Sequence, residues 1–293
     1  MKNLLCYSVI VLLFCTITLA QRNVMFLSDA TFATEEMVSM GLSIKSTDDI
    51  RGFQFNIEYD TSHVLFDTLV ASDIINQFTL LANESAKGTV KIMALSFSGE
   101  KIEKGIKKLL FIKFKIRDGT NFTHTKINIS EPVLSDVNGS SIVPQVFPGY
   151  IVSNEQSYLT ASRVQPSWYF NLVNVIDYAA LQFTFNYDTN IVTVDSVKSA
   201  NRTTNLNFKY NQPTKGEINI VINSFDNTLL QKGSGYIAQL HYAAIDSTQI
   251  KDVFSFSEAF GVDASGVVSQ IITLDSYHIN TPPVISEIAD VSG

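Results

Sequence analysis

The stretch Phe53-Gln54-Phe55-Asn56-Ile57-Glu58-Tyr59-Asp60-Thr61 occurs a second time as Leu181-Gln182-Phe183-Thr184-Phe185-Asn186-Tyr187-Asp188-Thr189, 128 residues further on. Between Phe53–Leu69 and Leu181–Val197 seven aligned positions are identical, spanning the stretch and the turn after it. In the first copy Phe53, Phe55, Ile57 and Tyr59 alternate with Gln54, Asn56 and Glu58; in the second, Gln182, Thr184 and Asn186 take the polar places. This two-residue period predicts a half-buried β-strand. The same offset carries Lys87-Gly88-Thr89-Val90-Lys91-Ile92 onto Lys215-Gly216-Glu217-Ile218-Asn219-Ile220, Ser96-Phe97 onto Ser224-Phe225, and Lys104-Gly105 onto Lys232-Gly233. Asp136-Val137-Asn138-Gly139 falls on Asp263-Ala264-Ser265-Gly266 with the offset reduced to 127. Alternation alone does not hold turn residues at a constant offset, so the chain carries two copies of one domain.

A chain of 293 residues is long enough for two such domains, each with its own core. The repeat sets their bounds at residues 22–153 and 156–280, leaving 281–293, with Pro282-Pro283, as a linker or the start of a further module. The joint Ser153-Asn154-Glu155-Gln156-Ser157 is short and lacks proline, which predicts that the domains touch. Val90, Ile92 and Ala94, then Ile112, Phe114 and Ile116, are expected to face inward, as are Ile218, Ile220, Ile222, Leu240 and Tyr242. Short strands between turn signals, with no helical period, predict an all-β chain of two tandem β-sandwich domains.

Residues 1–20 read as a secretory signal: Lys2, the apolar run Leu4–Leu19, and Thr18-Leu19-Ala20 before Gln21. Both cysteines, Cys6 and Cys15, lie inside it. The mature chain is therefore expected to be secreted, free of disulfides, and without cysteine-metal or thiol chemistry. Loss of Lys2 takes the formal net charge from −7 to −8, which argues against nucleic acid and anionic membranes as partners. No later stretch is apolar enough to span a bilayer.

An alternating strand ending in Tyr-Asp (Phe55–Asp60), a Lys-Gly turn (Lys87-Gly88), a late apolar strand (Leu110–Ile116), an Asp-x-x-Gly turn (Asp136–Gly139) and a closing Gly-Tyr-Ile-Val strand (Gly149–Val152) together resemble the cohesin domain. Domain two repeats most of this order with Phe183–Asp188, Lys215-Gly216 and Asp263–Gly266. The resemblance implies a jelly-roll sandwich shared with carbohydrate-binding modules. It implies an extracellular, non-catalytic scaffold that binds dockerin modules on secreted, polysaccharide-degrading proteins, with calcium expected on the dockerin and no cofactor on this chain. Cohesins dock through one sheet, and by position this implies Gln54, Asn56, Glu58, Met93, Leu95 and Phe111 in domain one. Domain two supplies Gln182, Thr184, Asn186, Val221, Asn223, Gln239 and His241. Some cohesins carry an acidic residue where Gln54 and Gln182 stand. Apart from the family, Met93, Leu95 and Phe111 are expected to form an exposed apolar patch on adjacent strands, the usual mark of a partner surface.

Catalytic and metal signatures are sparse. His63, His124, His241 and His278 are isolated, and no two have the spacing to ligate a metal from one element. No Gly-x-Ser-x-Gly turn accompanies the many Ser and Asp residues. Asp60, Glu84 and Glu100 are the acids available for glycoside hydrolysis, with nothing to place two across a cleft. Asp60 and Asp188 read instead as turn residues binding backbone N–H groups two residues on. Asp136-x-Asn138-Gly139 lacks the remaining ligands of a helical calcium loop and reads as a hairpin turn. The alternatives to a scaffold are a carbohydrate-binding pair, using Trp168 and Tyr169 as a sugar platform, and a structural spacer of a surface adhesin. Attachment to the cell surface would run through a region beyond Gly293. Asn83, Asn121, Asn128, Asn138 and Asn201 fit the N-glycan acceptor pattern.

Overall fold

The computed structural model describes residues 23–33, 37–164, 167–244 and 254–278. The leader at residues 1–20, both cysteines and the 281–293 segment lie outside the described residues. No helix among the described residues is long and apolar enough to cross a membrane.

The first half of the chain forms β1 (Val24–Leu27), β2 (Ala30–Phe32), β3 (Met37–Ser46), β4 (Ile50–Glu58), β5 (Val64–Ala71), β6 (Thr79–Ala86), β7 (Thr89–Leu95), β8 (Gly105–Ile116), β9 (His124–Asp136), β10 (Ser141–Ile142), β11 (Gln145–Phe147) and β12 (Gly149–Ser153). They make two sheets, one ordered β11-β1-β3-β8-β5 and the other β2-β12-β9-β4-β7-β6, with β10 on β9. The second half forms β13 (Tyr158–Val164), β14 (Ser167–Asn174), β15 (Ala180–Tyr187), β16 (Val192–Ser199), β17 (Asn207–Asn211), β18 (Glu217–Asn223), β19 (Gly233–Ala244), β20 (Phe254–Val262), β21 (Val268–Gln270) and β22 (Ile272–His278). Its sheets are ordered β22-β13-β14-β19-β16 and β17-β18-β15-β20-β21. The two halves share the orders β1-β3-β8-β5 with β13-β14-β19-β16 and β9-β4-β7-β6 with β20-β15-β18-β17, while β2 and β12 extend only the first half's sheet; β4 and β15, the repeated stretch, each sit between two partners in the same sheet.

The predicted phase of the repeated strand holds. Phe53, Phe55 and Ile57 are buried in one core with Val90, Ile92, Ala94, Ile112, Phe114 and Ile116. Leu181, Phe183 and Phe185 are buried in a second with Ile218, Ile220, Ile222, Leu240 and Tyr242. Phe170 meets Phe183 and Phe185 edge-on, with centroids at 5.3 and 4.7 Å, an arrangement that the aromatic quadrupole favours.

The repeated turns have a backbone cause. Gly88 and Gly216 adopt φ of 77° and 90°, and each carbonyl accepts the N–H of the tyrosine closing the repeated strand, Tyr59 at 2.9 Å and Tyr187 at 2.8 Å. A Cβ at Gly88 would stand 2.6 Å from the Tyr59 carbonyl oxygen, and one at Gly216 2.8 Å from that of Tyr187. Asp60 and Asp188 accept the N–H of Ser62 and of Asn190, each at 2.8 Å. Asp136 accepts from the N–H groups of Asn138 and Ser140, and Asp263 from those of Ser265 and Val267, so the Asp-x-x-Gly segments are hairpin turns.

The two sandwiches touch, as the short joint predicts. Tyr150 and Val152 of β12 point away from the first core and are buried against Leu274, with Tyr158 and Ile272 packed alongside. The Tyr150 hydroxyl donates to the Asp275 carboxylate, and Lys126 reaches the other oxygen of Asp275 at 2.9 Å. Burial, and then Asp275, push the Tyr150 phenol well above the usual range. Burial pushes Tyr158 up to about 12.

Gly88→Ala and Gly216→Ala force a side chain into the left-handed region and against a carbonyl. Each is expected to cost about 1–2 kcal/mol or more, read as a lowered denaturation midpoint. Leu274→Asp buries a charge in the joint. It is expected to separate the unfolding of the two halves into distinct calorimetric transitions.

Candidate partner-binding face

A strand between two others has one face committed to the core, so its remaining side chains form the sheet's outer surface. The register of β4 and its neighbours assembles that surface in rows. Leu81 of β6 pairs with Met93 of β7, Met93 with Gln54 of β4, and Gln54 with Val133 of β9. The next row runs from Thr79 through Leu95 and Gly52 to Ser135. A Cβ on Gly52 would lie 2.7 Å from Leu95 Cδ2, so the glycine lets the leucine lie over the sheet. Leu81 is 57% exposed and Leu95 37%. The two rows on the other side hold Asn56, which donates to Glu131 at 3.0 Å, and Glu58, which accepts from the Ser130 hydroxyl.

Of the residues implied in domain one, the structure therefore brings together Gln54, Asn56, Glu58, Met93 and Leu95. Phe111 is not among them. Its strand, β8, belongs to the opposite sheet between β3 and β5, where Phe111 is half-buried beneath Lys108, whose Nζ lies 5.4 Å from the ring centroid. The expected patch of Met93, Leu95 and Phe111 on adjacent strands does not exist. Alternation gave each residue the correct side of its own strand, but it says nothing about which sheet the strand joins. Leu81 and Val133 take the place of Phe111. Leu81 lies in a segment without a clear period, and the alternation of β9 is broken beside Val133 by a bulge at Glu131-Pro132.

Domain two shows the same division. Gln182, Thr184, Asn186, Val221 and Asn223 lie on the β15 sheet, while Gln239 and His241 of β19 lie on the opposite one. There His241 Nδ1 stands 2.8 Å from the buried Ser167 hydroxyl, and Gln239 donates to that hydroxyl and to the Tyr169 hydroxyl. Thr184 is buried with its hydroxyl donated to Asn219 at 2.7 Å. The Asn223 side-chain oxygen accepts from Asn207. The row that matches Leu81–Met93–Gln54–Val133 is Lys209–Val221–Gln182–Phe260.

The sugar-platform alternative fails on its key residue. Trp168 is only 8% exposed and packs on Phe254 with centroids 4.1 Å apart. Tyr169 is half-buried against Tyr236 and bonded to Gln239.

At one end of the domain-one face an open cleft of about 600 Å³ is lined by Glu58, Tyr59, Asp60, His63, His124, Thr125, Lys126, Asn128 and Tyr150. It brings together two histidines that the sequence leaves far apart. His63 stacks on Phe122 at 4.5 Å, and His124 lies beside Tyr150. No group of three His, Cys, Asp or Glu side chains among the described residues is arranged to hold a metal ion. Burial, and then the neighbouring His63, hold the His124 imidazole below the ordinary histidine range.

Each half of the chain is thus a β-sandwich whose outer face on the repeated strand is partly apolar. The family model described as "Cohesin domain" matches residues 24–149 and again 170–276, and the chain belongs to the cohesin family, a non-catalytic protein–protein interaction module. No curated protein matches the chain. Among solved structures, a type II cohesin dyad from the adaptor scaffoldin of Acetivibrio cellulolyticus is similar over 89% of this chain and 99% of its own, at 15% identity and a TM-score of 0.44. A type I cohesin from a cohesin–dockerin complex of Clostridium thermocellum is similar over 45% of this chain and 99% of its own, at 17% identity and a TM-score of 0.41. A non-cellulosomal cohesin from Archaeoglobus fulgidus covers 45% of this chain and 91% of its own, at 11% identity and a TM-score of 0.40.

Because the folded-state pKa of His124 is depressed, the unfolded chain takes up its proton first on acidification. Its contribution to stability is full above the unfolded value of about 6.5 and is lost as pH falls through the folded value. Thermal melts are expected to show the first domain weakening between pH 7 and 5, with His124→Gln flattening that slope.

Proposed function

We propose that the chain is an extracellular scaffold whose cohesin domains dock dockerin modules through the β4 and β15 sheet faces. The observation that carries this reading is the outer row Leu81–Met93–Gln54–Val133 with Leu95 laid over Gly52: apolar side chains on the outer face of the sheet, of which Leu81 and Leu95 are exposed and Met93 and Val133 half-buried. Exposed apolar side chains grouped on one surface mark association sites, and a few residues at the centre of such a site carry most of the binding energy. Gln54 and Gln182, in the middle of their rows, supply neutral hydrogen-bonding groups where some cohesins place an acid.

The apolar leader at residues 1–20 supports export of the mature chain. In that setting the partners are secreted polysaccharide-degrading proteins bearing dockerins, and calcium belongs to the dockerin. The chain itself is assigned no cofactor and no catalysis. The site in domain one is therefore Gln54, Asn56, Glu58, Leu81, Met93, Leu95 and Val133. In domain two it is Gln182, Asn186, Val221, Asn223 and Phe260.

Leu81→Asp and Leu95→Asp place charges on the exposed face. Each is expected to weaken dockerin binding to domain one by at least about thirtyfold, a hot-spot loss, with thermal unfolding essentially unchanged. Phe111→Asp, on the opposite sheet, is expected to leave binding intact. Calorimetric titration with a panel of calcium-loaded dockerin modules measures both. Loss of binding in Phe111→Asp together with full binding in Leu95→Asp would reverse the assignment of the face.

A further inference from the structure

A duplicated chain carries its own comparison. Inward positions are retained between copies because cores require them, and turn positions because the backbone does. Exposed outward positions have neither reason, so identity there asks for another cause. Across the two faces most outward positions have changed: Leu81 is matched by Lys209, Leu95 by Asn223, Glu58 by Asn186 and Lys91 by Asn219. Against that background Gln54 is matched by Gln182, Ser130-Glu131 by Ser257-Glu258, and Phe97 by Phe225.

These retained residues share a geometry. Phe97 and Phe225 lie in the bends just after β7 and β18, two residues beyond Leu95 and Asn223, and they are 82% and 80% exposed. Glu131 and Glu258 are exposed and lie at or next to a bulge beside the repeated strand: Glu131 is unpaired between the partners of Gln54 and Asn56, and Glu258 pairs with Thr184 beside the unpaired Ser257. Glu131 takes a φ of 49° there. Bulges re-aim side chains, and Glu131 is turned so that it accepts from Asn56 at 3.0 Å; the second copy has Thr184 in place of Asn56, with its hydroxyl donated to Asn219, so that bond does not account for the glutamate in both copies. The central glutamine lies between them, paired with Met93 and Val133 in one copy and with Val221 and Phe260 in the other.

We propose that the two faces are equivalent sites for one partner class. Each recognises it through the same three features: an exposed phenyl ring at the rim, a central amide, and a carboxylate at the bulge. This rests on the dockerin reading of the faces and extends it. The matching dockerin surface carries an arginine or lysine for the carboxylate and an apolar recess for the ring, and each chain takes up two modules. The positions that differ, Leu81 against Lys209 and Leu95 against Asn223, set the relative affinities of the two sites.

The test uses the full chain and the calcium-loaded dockerin that binds it tightest in the panel, with stoichiometry from calorimetry and light scattering. Two modules per chain are expected. Phe97→Ala and Phe225→Ala are each expected to weaken one site by at least tenfold and leave the other, and the double variant to weaken both. Glu131→Gln with Glu258→Gln is expected to lower affinity at both sites and to flatten its salt dependence, since a screened ion pair is removed. Unfolding midpoints that match the parent's exclude a folding defect. A stoichiometry of one, with Phe225→Ala and Glu258→Gln inert, overturns the equivalence while leaving domain one as a docking module. No binding by any dockerin overturns the underlying reading itself.

Discussion

Everything in this molecule depends on a strand hydrogen-bonded on both sides. β4 lies between β7 and β9, and β15 between β18 and β20, so neither strand has an edge to offer and each side chain has only two directions. The alternation Phe-Gln-Phe-Asn-Ile-Glu turns that constraint into a core on one side and a flat surface on the other. A shift of one residue would put Gln54, Asn56 and Glu58 into the core and three large apolar groups into water. The Tyr-Asp ending and the Lys-Gly turn hold the register, because the Gly88 and Gly216 carbonyls bind the Tyr59 and Tyr187 N–H groups. The turn and the strand are therefore retained together.

This explains which parts of the structure were legible in the sequence. The in-or-out phase of β4, β7, β8 and their copies could be read, because it depends only on local alternation. The Asp turns could be read because an aspartate bonding the N–H two residues on is a local event. The assignment of strands to sheets could not. In a two-sheet sandwich, strands with the same alternation pack from opposite sides, and which side is decided by pairing across the chain. The family's docking sheet, carried over by position, puts Phe111, Gln239 and His241 on the docking face, and the register moves them to the other sheet. Val133 and Phe260 were missed because bulges break the period around them. Leu81 was missed because its strand, β6, lies at the sheet edge with most of its side chains exposed, and so has little apolar pattern to show. Trp168 shows the same limit in reverse: an aromatic run reads as a platform until its alternation is resolved, and every second ring then belongs to the core.

The joint adds an asymmetry that two identical copies would not have alone. Tyr150 and Val152 lie on the outer side of the β4 sheet, opposite Lys126 and His124 of β9. Domain two covers that end using Leu274 and Asp275 of β22, a strand in the sheet opposite its own β15 face. The covered end carries the histidine cleft, and the uncovered end carries Leu81, Leu95 and Phe97. A partner on domain one thus meets the β6–β7 side of the face, while the β15 face lies in the sheet of domain two that does not include β22.

The cost of presenting such a face is met in the cores. Full burial of a large apolar side chain stabilises by roughly 1.5–3 kcal/mol, so Leu81, Leu95, Phe97 and Phe225 represent stability that the fold forgoes. With no cysteine in the described residues, the compensation comes from apolar packing: an aliphatic-rich core around Phe55 and Phe114 in one half, and a cluster of edge-on aromatic contacts around Phe170 and Phe185 in the other. The two cores support the same shared strand orders with different side chains, because a core demands only volume and apolarity. A binding face demands particular groups in particular places, so identity between the copies at an exposed position says more about function than identity at a buried one.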